Sequence, residues 1–382
     1  MPFKADEVAE VTIEGSRYRD WESVTVHMVE GEPNHSFKLS VSEGAPLASK
    51  FAALRIKPGD HCTVTLAGEL AISGYVETRQ VAYTASQHGV ELIGHSYNKA
   101  LADGAVMHKT MEWKDKPYKT IADDITKPFG IKFNPLTQIS GKPFKRVNVA
   151  PGTSAWEQLD TLARKRGITL GTDKQGNITG RTEFTPGGDR LVEGVNILEG
   201  REVLTKNMGD GQNYNYDQEP GSDQKWGPKV THDANGQSSN SNAGGGKGVY
   251  APNVTLGEHP GDKQDSQTRA DMESDRRDYE KFEVTIVVQG WLKPSGGLWH
   301  PGDMVHVTSP MLIVDEDLKL MSADFTQDSK SGTRTTLVLT KNTDSSKYNY
   351  DPASGGTGGN DGTGGASSGS DATGGGKIQS PA

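Results

Sequence analysis

Cysteine is almost absent from this sequence, which has one, Cys62, among 382 residues. A single thiol can form neither an intrachain disulfide nor a cysteine-based zinc site, so both are excluded. The residues around Cys62 alternate as in a β-strand, and a thiol in such a strand is usually buried. We therefore expect Cys62 to be an inert core residue rather than a reactive thiol.

Long apolar runs are also missing. The opening residues, MPFKADEVAEVTIEG, hold no apolar segment of the kind that a signal peptide needs. No other stretch approaches the roughly 20 apolar residues that span a bilayer. The sequence therefore predicts a protein that is made and folded in a cytoplasm, without stable membrane insertion.

Positive charge is not in excess. Lys and Arg number 41 against 50 Asp and Glu, which gives a formal net charge of -9. A dedicated nucleic-acid-binding protein usually presents a basic face. The charge balance favours solubility and argues against that class of protein.

Catalytic and metal-binding motifs are missing as well, since neither GxSxG, a Walker loop nor HExxH occurs. His300 and His306 lie around a turn without a metal-ligand spacing. Residues 315–317, Asp-Glu-Asp, lack the ligand order of a calcium loop, so we predict a turn of solvated carboxylates there. We expect no enzyme activity, no cofactor and no catalytic, cofactor-binding or metal-binding residue.

What the sequence does contain is one pattern that occurs twice, about 240 residues apart. The first copy reads KPGDHCTVTLAGELAISGYV and closes with GVELIGHS; the second reads HPGDMVHVTSPMLIVDEDLKLMSADF and closes with TTLVLTK. Each copy predicts a turn followed by antiparallel strands, so one small β-unit is built twice. The turns that define the repeat are Pro58, Gly59, Asp60 and Pro301, Gly302, Asp303.

Duplication of a β-unit within one chain favours a ring over a catalyst, because n chains then present 2n nearly equivalent surfaces. The strands before the first copy strengthen this prediction. Val24, Val26 and Met28 alternate with polar residues, and SFKLSVS continues the pattern after a turn, as in a hairpin. Five such strands can close into a compact barrel.

The stretch between the two copies changes to a helical period. The segment DKPYKTIADDITKPFG predicts a helix with Asp115 as its N-cap and a stop at Pro128 and Gly130. In SAWEQLDTLARKRG, Ser154 and Glu157 have the spacing of a capping box. Strands follow each predicted helix, which indicates a small α+β domain.

These patterns predict an α+β fold that is mainly β, with two related small antiparallel β-barrel domains flanking an α+β domain. A charged helix is predicted near the second copy, and its polar face is either solvated or packed on a neighbouring subunit. Gly and Ser dominate the C-terminal stretch, which we expect to be a flexible tail. The predicted domains are 1–96 (first barrel), 97–195 (α+β) and 196–350 (second barrel, with a long loop at about 209–261 and the helix at about 266–281), followed by the tail at 351–382.

Taken in order, several segments resemble the baseplate hub of Mu-like contractile-tailed phages, within the phage tail or late control gene D-like family. They include DWESVTVHMVEGEPNHSFKLSVS, PGDHCTVTLAGELAISGYVET, LARKRGI, LWHPGDMVHV and SGTRTTLVLTK. The resemblance spans roughly residues 10 to 345 and leaves the Gly-rich tail outside. It extends in plan to the N-terminal part of type VI secretion spike proteins.

The resemblance implies a homotrimeric ring in which two barrels per chain give pseudo-sixfold symmetry. Such a ring joins a sixfold tail tube, or its initiator protein, to a threefold membrane-puncturing spike and contacts other baseplate proteins. DNA would be a partner only in transit through the lumen, which agrees with a negative net charge. By the same resemblance the protein is part of the virion tail baseplate and is assembled in the host cytoplasm.

Two other functions stay open at the level of sequence. A tail-associated cell-wall hydrolase would need an acidic pair in a cleft, and so many carboxylates always include some suitable pair. A host-surface glycan-binding module could stack sugars on tryptophans, although most of these are better explained as core or interface anchors. The tryptophans are Trp21, Trp113, Trp156, Trp226, Trp291 and Trp299.

Overall fold

A computed structural model describes the following parts of the chain. They are residues 7–13, 15–19, 21–43, 56–84, 88–139, 141–182, 184–185, 187–205, 212–217, 234–239, 253–256, 266–273 and 282–341. The predicted tail at 351–382 and the second half of the predicted helix at 266–281 lie outside these residues, as does Trp226.

The described chain is mainly β, as the sequence predicts. The strands are β1 Ala9–Ile13, β2 Ser16–Tyr18, β3 Ser23–Val29, β4 Ser36–Glu43, β5 His61–Leu66, β6 Glu69–Tyr83, β7 His88–Ser96, β8 Glu112–Lys116, β9 Phe133–Pro135, β10 Phe144–Asn148, β11 Thr169–Thr172, β12 Ile178–Arg181, β13 Arg190–Val192, β14 Glu199–Leu204, β15 Gln212–Asp217, β16 Ala234–Ser239, β17 Asn253–Leu256, β18 Phe282–Gln289, β19 Met304–Ser309, β20 Val314–Asp328 and β21 Gly332–Lys341. The helices are α1 Lys99–Asp103, α2 Tyr118–Thr126, α3 Ala155–Arg164 and α4 at residues 266–273, with a 3-10 turn at Lys127–Phe129.

The two copies of the repeated pattern fold alike. In the first copy, neighbouring strands follow the order β5, β6, β7, β4 and β3; in the second, the order is β19, β20, β21, β18 and β14. The strand after each turn has 6 residues and the next has 15. We call these two sets of strands the first and second five-stranded units.

The two units are joined into one sheet of 13 strands, because β3 of the first unit pairs antiparallel with β20 of the second. The long strand β20 has two neighbours along this edge. Residues 314–319 pair with β19, and residues 322–327 pair with β3. We call the contact between β3 and β20 the internal seam.

One hydrophobic core lies against this sheet and contains side chains from both units. The predicted hairpin is confirmed: Val24, Val26 and Met28 on β3 are buried, as are Phe37 and Leu39 on β4. Burial of each such side chain contributes about 1.5–3 kcal/mol relative to exposure. The alternating pattern was therefore sufficient to identify the buried face.

The stretch between the units has a core of its own, which includes Ile121, Leu159 and Ile178. The predicted cap of α3 is confirmed, since the amide of Glu157 donates to Ser154 Oγ at 3.1 Å. The predicted cap of α2 is wrong. Asp115 lies on β8 and pairs with Lys145, and Pro117 precedes the helix instead, because its fixed φ suits that position.

The polar stretch predicted as a loop at about 209–261 contains strands. Among its described residues, β15 pairs antiparallel with β16 and parallel with β17. Backbone hydrogen bonds suffice for such a ladder. The sequence signal is weak, because the alternation is confined to Tyr214 and Tyr216 on β15 and to Val254 and Leu256 on β17, and β16 has none. In the described ranges no helix is long and apolar enough to cross a membrane.

Candidate functional site at the repeated turns

The first turn connects its two neighbouring strands through a closed set of hydrogen bonds. The amide of Asp60 donates to the Lys57 carbonyl at 3.1 Å, and the amide of Lys57 donates to Asp60 Oδ2 at 2.7 Å. Gly59 donates to the Val76 carbonyl at 2.7 Å, and Val76 donates back to the Asp60 carbonyl at 3.0 Å. The carboxylate of Asp60 therefore closes the turn, and the backbone of Gly59 and Asp60 joins the turn to Val76 on β6.

The second turn repeats this set bond for bond. Asp303 donates to the His300 carbonyl at 3.0 Å, and His300 donates to Asp303 Oδ2 at 3.1 Å. Gly302 donates to the Leu320 carbonyl at 2.7 Å, and Leu320 donates to the Asp303 carbonyl at 2.9 Å. The two turns are thus equivalent in geometry as well as in sequence.

Glycine is required at the centre of both turns. Gly59 has φ +94° and Gly302 has φ +86°, in the left-handed region that side chains rarely adopt. Each turn is followed by a β-bulge in the long strand, between Val76 and Thr78 in the first unit and between Leu320 and Ser322 in the second. A bulge bends its strand and increases the local twist.

The surroundings of the two turns differ. A Cβ at Gly59 would meet nothing within 4 Å, whereas one at Gly302 would lie 2.5 Å from the guanidinium of Arg181. Arg181 Nη1 also donates to the Gly302 carbonyl at 2.9 Å. Arg181 ends β12, so it ties the α+β stretch to the second turn.

Charged groups are buried near Arg181. Its Nε lies 3.9 Å from Glu30 Oε1, with side-chain exposures of only 14% and 3%. Lys319 is also buried here, and desolvation lowers the pKa of its ammonium despite the nearby carboxylate of Glu30. A cavity of about 480 Å³ opens beside this cluster and the second turn. In its lining, Lys293 and Asp303 form an ion pair at 2.9 Å. This pair joins the segment after β18 to the second turn.

Two histidines near the internal seam have opposite pKa shifts. The hydrogen bond of His27 to Asp324, which joins β3 to β20, raises the pKa of the His27 imidazole. His35 is buried, and desolvation followed by repulsion from His300 lowers its pKa to about 3. Sequence reasoning missed these residues, because the partners are far apart in the chain and no local motif marks them.

The histidines considered as metal ligands have hydrogen-bond partners within the chain. His306 Nδ1 lies 2.9 Å from Asp317 and its Nε2 lies 3.3 Å from Asp315, whereas His300 contacts the Pro301 carbonyl. The described chain contains no cluster of three or more His, Cys, Asp or Glu side chains that could hold a metal ion. Residues 315–317 are exposed as predicted, but they belong to β20 and do not form a turn.

The single cysteine and most described tryptophans lie in the cores. Cys62 is buried, and burial together with the carboxylate of Asp60 raises the thiol pKa to about 12. Trp113, Trp291 and Trp299 are buried. Trp21 and Trp156 are partly buried and pack against the cores. These five indoles do not form an exposed stacking platform.

Three family models match the chain in succession. Residues 8–96 match the Mu phage baseplate assembly protein GpP-like N-terminal domain, residues 99–180 the second domain of baseplate hub protein gp44-like proteins, and residues 262–345 the fourth domain of Mu phage baseplate assembly protein GpP. The chain is 22% identical to baseplate hub protein gp44 of Escherichia phage Mu over 334 residues, which cover 85% of this chain and 86% of that protein.

Solved structures share the fold. A 43 kDa tail protein of prophage MuSo2 from Shewanella oneidensis is 24% identical with a TM-score of 0.76, covering 88% of this chain and 98% of that one. A tail protein from Neisseria meningitidis MC58 is 19% identical with a TM-score of 0.73, covering 88% and 96%. The Escherichia coli c3393 protein, a type VI secretion component, is 11% identical with a TM-score of 0.55, covering 90% and 79%.

The fold and these matches define a phage tail protein of the baseplate. More particularly, the chain belongs to the baseplate hub proteins of Mu-like phages. It is therefore a component of the virion tail, and its homologues are structural proteins of the baseplate.

Proposed function

We propose that three copies of this chain form a ring that joins the sixfold tail tube to the threefold central spike and lets DNA pass during ejection. The observation that carries this proposal is the internal duplication. Two five-stranded units with one strand order, one turn geometry and one bulge position lie side by side in each chain. A trimer then presents six similar units to the tube and three identical chains to the spike.

In this proposal each five-stranded unit is one barrel domain of the ring, within the predicted domains 1–96 and 196–350. Pro58, Gly59 and Asp60 and their counterparts Pro301, Gly302 and Asp303 then occupy equivalent places around it. The α+β domain at 97–195 decorates the ring on the side of the spike. The tube or its initiator protein and other baseplate proteins are the remaining partners, and assembly takes place in the host cytoplasm.

The proposed role is binding without catalysis. In the described residues the buried charges near Arg181 lie close to one another, and His306 on β19 contacts Asp315 and Asp317 on the neighbouring strand β20. No observation favours a cell-wall hydrolase or a glycan-binding module. Neither alternative is therefore proposed.

Light scattering coupled to size exclusion tests the ring directly. We expect the purified chain to have a mass near three times 41.0 kDa and to bind the purified spike protein. A chain that stays monomeric at micromolar concentration, with and without the spike, would contradict the proposal.

A further inference from the structure

Two strand edges, one in each five-stranded unit, correspond to the two strands that pair in the internal seam. In the second unit, β14 occupies the place that β3 has in the first, and it is the last strand of the sheet path. In the first unit, β6 occupies the place of β20. Its pairing with β5 ends at Tyr75, so Gln80, Val81 and Ala82 have a strand neighbour on one side only, β7, within the described chain.

Strand registers relate these two edges to the seam residue by residue. Residues 78–83 of β6 pair with β7 as residues 322–327 of β20 pair with β21. Residues 199–204 of β14 pair with β18 and correspond to residues 23–28 of β3. Residues 23–27 of β3 pair with β4 in the same register. In the seam, Asp324 lies opposite His27 and Phe325 opposite Val26.

We propose that β14 of one copy of this chain adds antiparallel to residues 78–83 of β6 in the next copy, in the register of the internal seam. Gln80 then lies opposite Val203, Val81 opposite Glu202, and Tyr83 opposite Gly200. This inference rests on the proposed function, because it names the strands that close the proposed ring. The contact is head to tail, so it propagates from copy to copy until the ring closes.

Exposed apolar side chains at both edges agree with a covered surface. Val81 is 49% exposed and Tyr83 79%, and Leu204 on β14 is 70% exposed. The counterparts of Val81 and Leu204 in the internal seam, Phe325 and Met28, are buried, whereas the counterpart of Tyr83 is the polar residue Gln327. An edge strand with exposed apolar residues is a template for pairing with another chain.

The side chains are also compatible in this register. It opposes no two like charges. It also places Arg79, whose Nη1 donates to the Ile56 carbonyl at 2.9 Å, diagonally across from Glu202. Tyr83 lies opposite Gly200, where Leu312 Cδ1 lies 3.1 Å from the place of a Cβ, so the tyrosine ring has an apolar side chain to pack against.

Disulfide cross-linking of the full chain tests the register. Opposed residues of an antiparallel pair lie about 4.5–5.5 Å apart at Cα, a span that a disulfide accepts. Background oxidation is small because Cys62 is buried with a thiol pKa of about 12. We expect the double variant Gln80→Cys with Val203→Cys to form covalent species up to the trimer on non-reducing gels.

Three controls accompany this variant. Gln80→Cys with Glu202→Cys directs the second thiol to the opposite face of β14, so it should not cross-link. Each single variant should stay uncross-linked alone, and a mixture of the two should give dimers only. His27→Cys with Asp324→Cys makes the same pair inside one chain and reports on folding and oxidation.

The outcomes separate this inference from the proposed function. A trimer by light scattering that does not cross-link through Gln80→Cys and Val203→Cys overturns the strand pairing and leaves the ring standing. Self-dimers of a single variant indicate a symmetric contact and also overturn it. A monomer overturns the ring, and the pairing fails with it.

Discussion

Gly302 and Gly59 meet different requirements, although both sit at the centre of the same turn. Both need a positive φ, which a side chain adopts at a cost of about 1–3 kcal/mol. Gly302 alone also has a guanidinium where its Cβ would lie. Residues that are equivalent in the repeat are thus distinguished by contacts with a third part of the chain.

We expect Gly302→Ala to lower the free energy of unfolding more than Gly59→Ala, which should itself cost about 1 kcal/mol. Urea unfolding followed by tryptophan fluorescence measures both. Gly89→Ala is the matched control, because Gly89 has no positive φ and nothing within 4 Å of its Cβ. Equal losses for Gly59→Ala and Gly302→Ala would contradict the role assigned to Arg181.

His35 gives the fold a sensitivity to acid. Its pKa of about 3 in the folded chain lies below the ordinary value of 6.5, so the unfolded chain binds more protons between these two pH values. Stability therefore falls as pH decreases from 6.5 toward 3, by at most about 1.4 kcal/mol per pH unit from this group.

The variant His35→Gln removes this titration. We expect its stability to depend less on pH than that of the wild type between pH 6.5 and 4, whatever its stability at pH 7. Unfolding curves at several pH values compare the two slopes. Parallel slopes would show that His35 does not stay neutral in the folded chain.

At the scale of elements, helix α3 shows how a local motif acts in a packed context. Ser154 accepts a hydrogen bond from the amide of Glu157. Leu159 and Leu162 of the helix are buried in the separate core of the α+β stretch that lies between the two units in sequence. The sequence predicted this helix correctly because both its cap and its apolar stripe lie within one short segment.

We expect Ser154→Ala to destabilise the chain by about 1 kcal/mol, since one amide in the first turn loses its acceptor. Ser154→Asp, which can still accept this hydrogen bond, should retain most of the stability. Thermal or urea unfolding of the three proteins checks this order. A loss as large for Ser154→Asp as for Ser154→Ala would show that packing around Ser154 is what matters.

At the scale of the whole molecule, the two units form one sheet and one core. A cavity made in one unit should therefore weaken the other. Phe325 on β20 is fully buried at the internal seam opposite Val26. Truncation of a buried Phe to Ala costs about 3–5 kcal/mol.

We expect Phe325→Ala to increase hydrogen exchange in β3 and β4 of the first unit as well as in β20 and β21. Leu159→Ala, in the separate core that includes α3, should increase exchange mainly between residues 101 and 178. Mass spectrometry of peptide fragments reports both patterns. Exchange confined to the second unit in Phe325→Ala would show that the units open independently.

The sequence by itself determined the duplication, the two turns, the buried faces of the strands and the family. Each of these depends on residues that are close in the chain or on the order of segments along it, and neither requires knowledge of the fold. It did not reveal β15, β16 and β17, because the alternation there is confined to two residues in β15 and two in β17 and polar residues surround it. Only the tertiary structure decided the seam between β3 and β20, since His27 and Asp324 lie 297 residues apart and pair only after both units fold.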